Sequence, residues 1–349
     1  MTLRRLLVST ALAVLSAGAA AAQTINALVW CDHADPALIA PFEEATGIRV
    51  NLREYEGTGA ALAMLEQSRP GDWDVLVIDG IDVPRVVEAG LLAPLPADRL
   101  PLGDLFPQVV LEDRTTRDGA IYAVTEKFGY NTLSYNSARV PEADVASLDR
   151  LLTDDYAGRI AIYDYYLPVI GIAAAHLGLD TQSLTEADLP AIREVLFAMK
   201  DRAATVGEVV ASQTALATGE VDVVIGGGEW LTGVLEPEQP ELTWTIPDRG
   251  AVLWSQAIGV LADSREPEAA LAFVEYILSP EGQARLATSS CYWGMPANRR
   301  AGEHLTEEQK RILRWDSQED YLSRVQLYPA PDEALDAAMQ DLWLEMLQR

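Results

Sequence analysis

Short apolar runs alternate with stretches of helical periodicity along most of this chain. The run INALVW at 25–30 reads as a strand, and Asp35-Pro36 then supplies an N-cap and a first-turn proline for a helix ending near Gly47. IRVNLREY (48–55) alternates as a strand does, and GTGAALAMLEQS (57–68) is helical until Pro70-Gly71 stops it. WDVLVID (73–79) is a continuous apolar run between turn signals, the pattern of a strand buried on both faces, and VPRVVEAG follows as a helix ending at Gly90. This order predicts an α/β fold with a largely parallel sheet. Further strands are expected in GRIAIYDYY (158–166), GEVDVVIGGG (219–228) and AVLWSQAIGVLA (251–262). Helices are expected at 168–177, at 188–203, on either side of Ser279-Pro280, and in an amphipathic C-terminal segment. No Gly/Ser or Pro linker divides the chain, so two domains would be joined by more than one crossing.

Ahead of the first strand, Arg4-Arg5, the run LLVSTALAVLSAGA and Ala20-Ala21-Ala22 make a secretory leader at 1–22, cleaved before Gln23. The run is too short and too alanine-rich for a membrane span, and nothing later approaches about 18 unbroken apolar residues. An exported, soluble and unanchored chain is expected. Its net charge of −27, more negative once the two leader arginines are gone, excludes nucleic acid and anionic membrane as partners. Cys31 and Cys291 are the only cysteines; their separation excludes zinc-ribbon and thioredoxin spacing, and sequence alone does not place them within bonding distance.

The chain lacks a GxxxxGK[ST] phosphate loop, a GxSxG elbow and an HExxH pair. Gly226-Gly227-Gly228 could bare amides to an anion, although close packing or a flexible turn explains such a run better. Of the three histidines, His33 alone stands at a strand end, in VWCDHADP, directly after Asp32. In open parallel sheets ligands bind beyond the carboxyl ends of strands, which is where His33 would sit. A metal reading takes His33, Asp79 and the pair Tyr165/Tyr166 as hard ligands for ferric iron. A cation reading takes the aromatics: Trp30, Trp254, Tyr292-Trp293, and Tyr163, Tyr165 and Tyr166 around Asp164. Aromatic faces with an occasional carboxylate attract an organic cation by up to roughly 2 kcal/mol per desolvated face.

Several segments, in order, resemble those of periplasmic solute-binding proteins of ABC transporters: FEEATGIRV, WDVLV with VEAGLLAPL, YAGRIAIYD, GEVDVVIG, IPDRGAVLW, PEAALAFVEYILSPEGQARLA and MPAN. They span most of the chain, and the later ones are similar to the spermidine/putrescine-binding branch. The resemblance implies a two-lobe periplasmic-binding-protein fold with hinge-crossing strands and a ligand cleft between the lobes. Lobe one would hold 23–130 plus 252–300, and lobe two 131–251 plus 301–349, with KFGYNTLSYN (127–136) as the first crossing.

Carried over residue by residue, the family's ligand contacts fall on Trp30, Cys31, Asp32, Asp79 or Gly80, Asp164, Trp254 and Tyr292, with His33 beside them. Two expected acids are replaced, by Leu167 and Gln256, which argues for a shorter amine, or a zwitterion with one cationic end, over a long polyamine. Cys31 and Cys291 would both border the pocket, and a disulfide between them is the hypothesis. The implied protein is a monomeric, non-catalytic periplasmic carrier with no cofactor or resident metal. It would capture a small cationic solute and deliver it to an ABC permease and its ATPase. Two rivals stand beside it: a ferric-ion carrier, and an exported enzyme using His33 with Asp32 and Cys31.

Overall fold

The computed structural model describes residues 23–349, so the leader reading lies outside the described residues. The principal strands are β1 (Thr24–Val29), β2 (Arg49–Glu54), β3 (Val75–Asp79), β4 (Val124–Asn136), β5 (Ile160–Tyr163), β6 (Ala203–Gly207), β7 (Val223–Gly227), β8 (Leu242–Thr245) and β9 (Val252–Val260). They hydrogen-bond in the order β2-β1-β3-β9-β4-β7-β5-β6, with β8 also on β4. β1, β2 and β3 are mutually parallel, as are β7, β5 and β6, whereas β9 and β4 run antiparallel to their neighbours.

Local chemistry explains the expected elements. Asp35 accepts a hydrogen bond from the Ala37 amide at 2.9 Å, Pro36 opens the helix Pro36–Thr46, and Gly47 closes it at φ 71°. Ser279 ends the helix Pro267–Leu278 and caps the next, Pro280–Ala287, by accepting from the Gly282 amide. One strand differs from expectation. The helix Leu189–Arg202 passes directly into β6, with no intervening loop to mark the change.

Strand alternation builds a core on each face of the sheet. In the first half Ile25, Val29, Val75 and Val77 point into one cluster, and Leu28, Leu76 and Ile78 into another. In the second half Ile160, Ile162, Val223 and Ile225 enter one cluster, and Ala161 and Val224 another. The 13-residue β4 joins the halves and is buried throughout. Its Val124–Asn131 stretch pairs with β9, while Thr132–Asn136 pairs with β7 and β8. A short segment, Gln326–Leu327, runs beside Val252–Leu253. Before it, Ile312, Leu313 and Tyr321 pack into the first core; after it, Tyr328, Met339 and Trp343 pack into the second.

This topology positions the site. Asp79, the last residue of β3, lies opposite Gln256, which in turn lies opposite Lys127. From the other half, Gly227 at the end of β7 lies opposite Thr132. The carboxyl ends of both parallel sets therefore face the same few residues of the crossing strands.

Candidate functional site

Trp30 directly follows β1 and stands against Tyr55, with ring centroids 4.9 Å apart. The next residue, Cys31, forms a disulfide with Cys291, tying the strand end to the loop that carries Tyr292. The cysteine pair expected at the pocket border is thus made, and Cys31 is no longer a nucleophile.

Behind this rim lie four fully buried ionisable residues. His33 meets Asp32 through Nδ1 at 2.9 Å and Glu126 through Nε2 at 3.0 Å. The Glu126 approach is an ion-pair contact without hydrogen-bond alignment, and neither carboxylate oxygen of Glu126 has a hydrogen-bond partner. Lys127 Nζ reaches the other oxygen of Asp32 at 2.9 Å, donates to the Tyr292 carbonyl at 3.1 Å, and lies 4.1 Å from the centroid of the Tyr292 ring. Burial alone would push His33 down, but Glu126 and then Asp32 outweigh it and lift it to about 10. Burial likewise works against ionised Asp32, and Lys127 followed by His33 holds its carboxyl far below the usual range. The structure therefore places Asp32 and His33 in an internal charge network, with both ring nitrogens engaged, rather than at a solute-facing rim.

The carboxylate that does face the cleft is Asp79. No side chain among the described residues bonds to it; burial, with Asp82 adding like charge, pushes it up to about 7. Its charge reaches tyrosines from both halves. The hydroxyls of Tyr163 and Tyr165 are raised by burial first and Asp79 next; that of Tyr292 is raised by burial, Asp32 and then Asp79. A narrow, partly open pocket is lined by Asp79, Ile81, Arg114, Leu253, Trp254, Ser255 and Tyr328. A wider, open groove at the sheet's outer edge, beside Asn51, Arg53 and Trp73, lies away from these strand ends.

Aromatic rings continue around Asp79. Trp254 lies 6.2 Å from Tyr292, Tyr163 lies 4.9 Å from Trp230, and Tyr165 lies 6.2 Å from Tyr328. The indole N–H groups of Trp30, Trp230 and Trp254 are buried without acceptors, and the Gln256 carbonyl oxygen is buried without a donor. Gln256 Nε2 donates to the Tyr292 hydroxyl at 2.6 Å. Unpaired buried polar groups are costly and mark places where a ligand or water completes the bonding.

Not every expected residue joins this group. Asp164 is exposed and accepts from Trp343 Nε1 of the C-terminal helix at 3.2 Å. Leu167 is buried in the second core. The triple glycine is close packing and not an anion nest: a Cβ on Gly227 would lie 2.5 Å from Ser134 Oγ, and the Gly228 amide already donates to that hydroxyl.

Several residues of the site escape a reading of the sequence. Glu229 opens the short helix Glu229–Thr232, is fully buried, and accepts from the Tyr130 amide at 3.0 and 3.2 Å. Burial pushes it up to about 8. It reaches that position because residue 129 is glycine: a Cβ there would lie 1.8 Å from Glu229 Oε1 and 2.5 Å from the Trp254 ring. Arg114, on the short helix Glu112–Thr115, is likewise unmarked by any local motif.

Two halves linked by crossing strands, with their strand ends converging on one aromatic and acidic cleft, define a two-lobe binding protein. The chain belongs to the bacterial extracellular solute-binding proteins, whose family profile matches residues 37–310. It is 29% identical over 310 residues to a putrescine/agmatine-binding protein of Pseudomonas aeruginosa, covering 83% of each chain. It is 22% identical over 294 residues to the spermidine/putrescine-binding periplasmic protein of Escherichia coli, again covering 83% of each. In fold it is similar to the spermidine/putrescine ABC transporter substrate-binding protein PotD of Streptococcus pneumoniae. That superposition has a TM-score of 0.81 at 19% identity and covers 93% of this chain and 99% of the other.

Proposed function

We propose that this chain is the periplasmic substrate-binding component of an ABC importer, and that its solute is a small organic cation, a polyamine or a shorter amine. The observation that carries the reading is Asp79: a carboxylate without a protein partner, at a strand end, among aromatic rings contributed by both halves. A buried ammonium needs such an acceptor, and the rings add cation–π attraction. The putrescine/agmatine-binding and spermidine/putrescine-binding relatives support the same solute class. Around Asp79 we place Trp30, Trp254, Gln256 and Tyr292 as solute contacts, with Cys31 fixing Trp30 through its disulfide. Asp32 and His33 act behind them as supports, and Asp164 stands outside the group.

Solute capture requires no bond to be made or broken. A solute that touches both lobes favours the closed form, and the closed form is what a permease and its ATPase would accept. The rival readings have less behind them. His33 is fully buried with Nδ1 on Asp32 and Nε2 beside Glu126, which leaves no ring nitrogen for iron. The exported-enzyme route needed Cys31 as nucleophile, and Cys31 is bonded to Cys291.

The test is a thermal-shift panel on refolded, ligand-stripped protein. A ligand at 100 times its Kd stabilises by about 2.7 kcal/mol, so the correct class raises the Tm measurably. Amines or amine-bearing amino acids should do so. A response confined to ferric iron, sugars or inorganic anions would overturn the cation reading.

A further inference from the structure

Arg114 is a cation in a cavity otherwise arranged to receive one. It lines the same space as Asp79, Trp254, Ser255 and Tyr328. Among the described residues no carboxylate lies within ion-pair distance of its guanidinium, and burial pulls its pKa down. Its one side-chain partner is neutral: Nη2 donates to Gln182 Oε1 at 3.1 Å. Gln182 in turn donates to the Tyr328 carbonyl, so the guanidinium is held at the cavity by a residue bound to another part of its wall.

Asp79 and Arg114 thus present opposite charges to one cavity, yet neither is paired with the other or with any other charged side chain. Each pays desolvation without a counter-charge, the arrangement that a bound ligand of complementary charge relieves. A diamine would satisfy Asp79 and bring its second ammonium towards Arg114, a like charge. A ligand with an ammonium at one end and a carboxylate at the other would satisfy both. The planar guanidinium matches a carboxylate through two parallel hydrogen bonds, which an ammonium group cannot replicate.

We propose that the solute is an amino-carboxylate zwitterion, with its ammonium on Asp79 and its carboxylate on Arg114. This rests on the cation reading of Asp79 and narrows it.

The experiment titrates ligand-stripped protein, by calorimetry, with 4-aminobutyrate, 5-aminopentanoate and putrescine, in the wild type, Arg114→Gln and Arg114→Lys. The half-buried position of Arg114 makes both variants compatible with folding, which circular dichroism checks. The wild type should prefer an amino acid over the diamine. Arg114→Gln should weaken that amino acid by about thirtyfold or more, as expected for loss of a desolvated charge partner, while putrescine binds as well or better. Arg114→Lys should recover part of the loss, because charge returns without the fork. Wild-type preference for putrescine, or an amino-acid Kd that Arg114→Gln leaves unchanged, would overturn the zwitterion proposal and leave the Asp79 reading standing. Failure of every amine and amino acid to bind would overturn both.

Discussion

Replacing Lys127 with Met should destabilise the fold by about 3–5 kcal/mol, because it leaves a buried charge without its partner. Lys127 is fully buried and bonded to Asp32 at 2.9 Å, and Met nearly preserves its volume, so the loss measures charge and not a cavity. Taken as ionised, Asp32, His33, Glu126 and Lys127 balance as two anions and two cations, with burial working against the charge on Glu126 and on Lys127. Removing one cation leaves two carboxylates around a single imidazolium. Adding Asp32→Asn to Lys127→Met restores neutrality and should recover part of the loss, a sign that independent contacts would not show. Urea unfolding followed by tryptophan fluorescence reads both variants. A single-variant cost below about 1 kcal/mol would mean that the network is not ionised as described.

Amine affinity should fall on acidification below about pH 7. Asp79 is raised from its ordinary value of 3.8 to about 7, so the empty native protein holds this proton more tightly than the unfolded chain does. Its contribution to the empty protein's stability is therefore present below pH 3.8 and is lost as pH rises towards 7. Binding has the opposite sign, since an ammonium favours the ionised carboxylate. With a pKa of about 7, the Kd of a solute ammonium should be about tenfold weaker at pH 6 than at pH 8, and about a hundredfold weaker at pH 5. Tyr163, Tyr165 and Tyr292 face Asp79 but are pushed upward, so they stay neutral through this range. Glu229, raised to about 8, also titrates nearby, and Asp79→Asn separates the two. That variant should bind the amine much more weakly and lose the acid-side pH dependence. Calorimetry between pH 5 and pH 8.5 checks this; an unchanged slope in Asp79→Asn would assign the proton elsewhere.

The fold was legible because its signals are local. Asp35-Pro36 and Gly47 bound their helix through capping chemistry within a few residues, and WDVLVID announces a strand buried on both faces by composition alone. β6 was not legible, since Leu189–Arg202 enters it without a turn residue. The site divides in the same way. Aromatics at strand ends, Trp30 and Trp254 among them, and Asp79 are visible as strand-end residues in an α/β order. Asp32 and His33 look alike from the sequence but are withdrawn from the cleft by Glu126 and Lys127, which lie more than ninety residues further along the chain. Arg114 and Glu229 sit on four-residue helices, too short to carry a periodicity. The disulfide was similarly beyond the spacing of its cysteines, which are 260 residues apart and meet only because the first-lobe core brings both loops together.

The most direct measurement is a crystal structure of the protein with its best-binding amine from the thermal-shift panel. The ammonium nitrogen is expected within about 2.7–2.9 Å of an Asp79 carboxylate oxygen, with aromatic rings from both lobes against the ligand. A ligand whose ammonium rests on Asp164, or anywhere beyond hydrogen-bond reach of Asp79, would contradict the site described here.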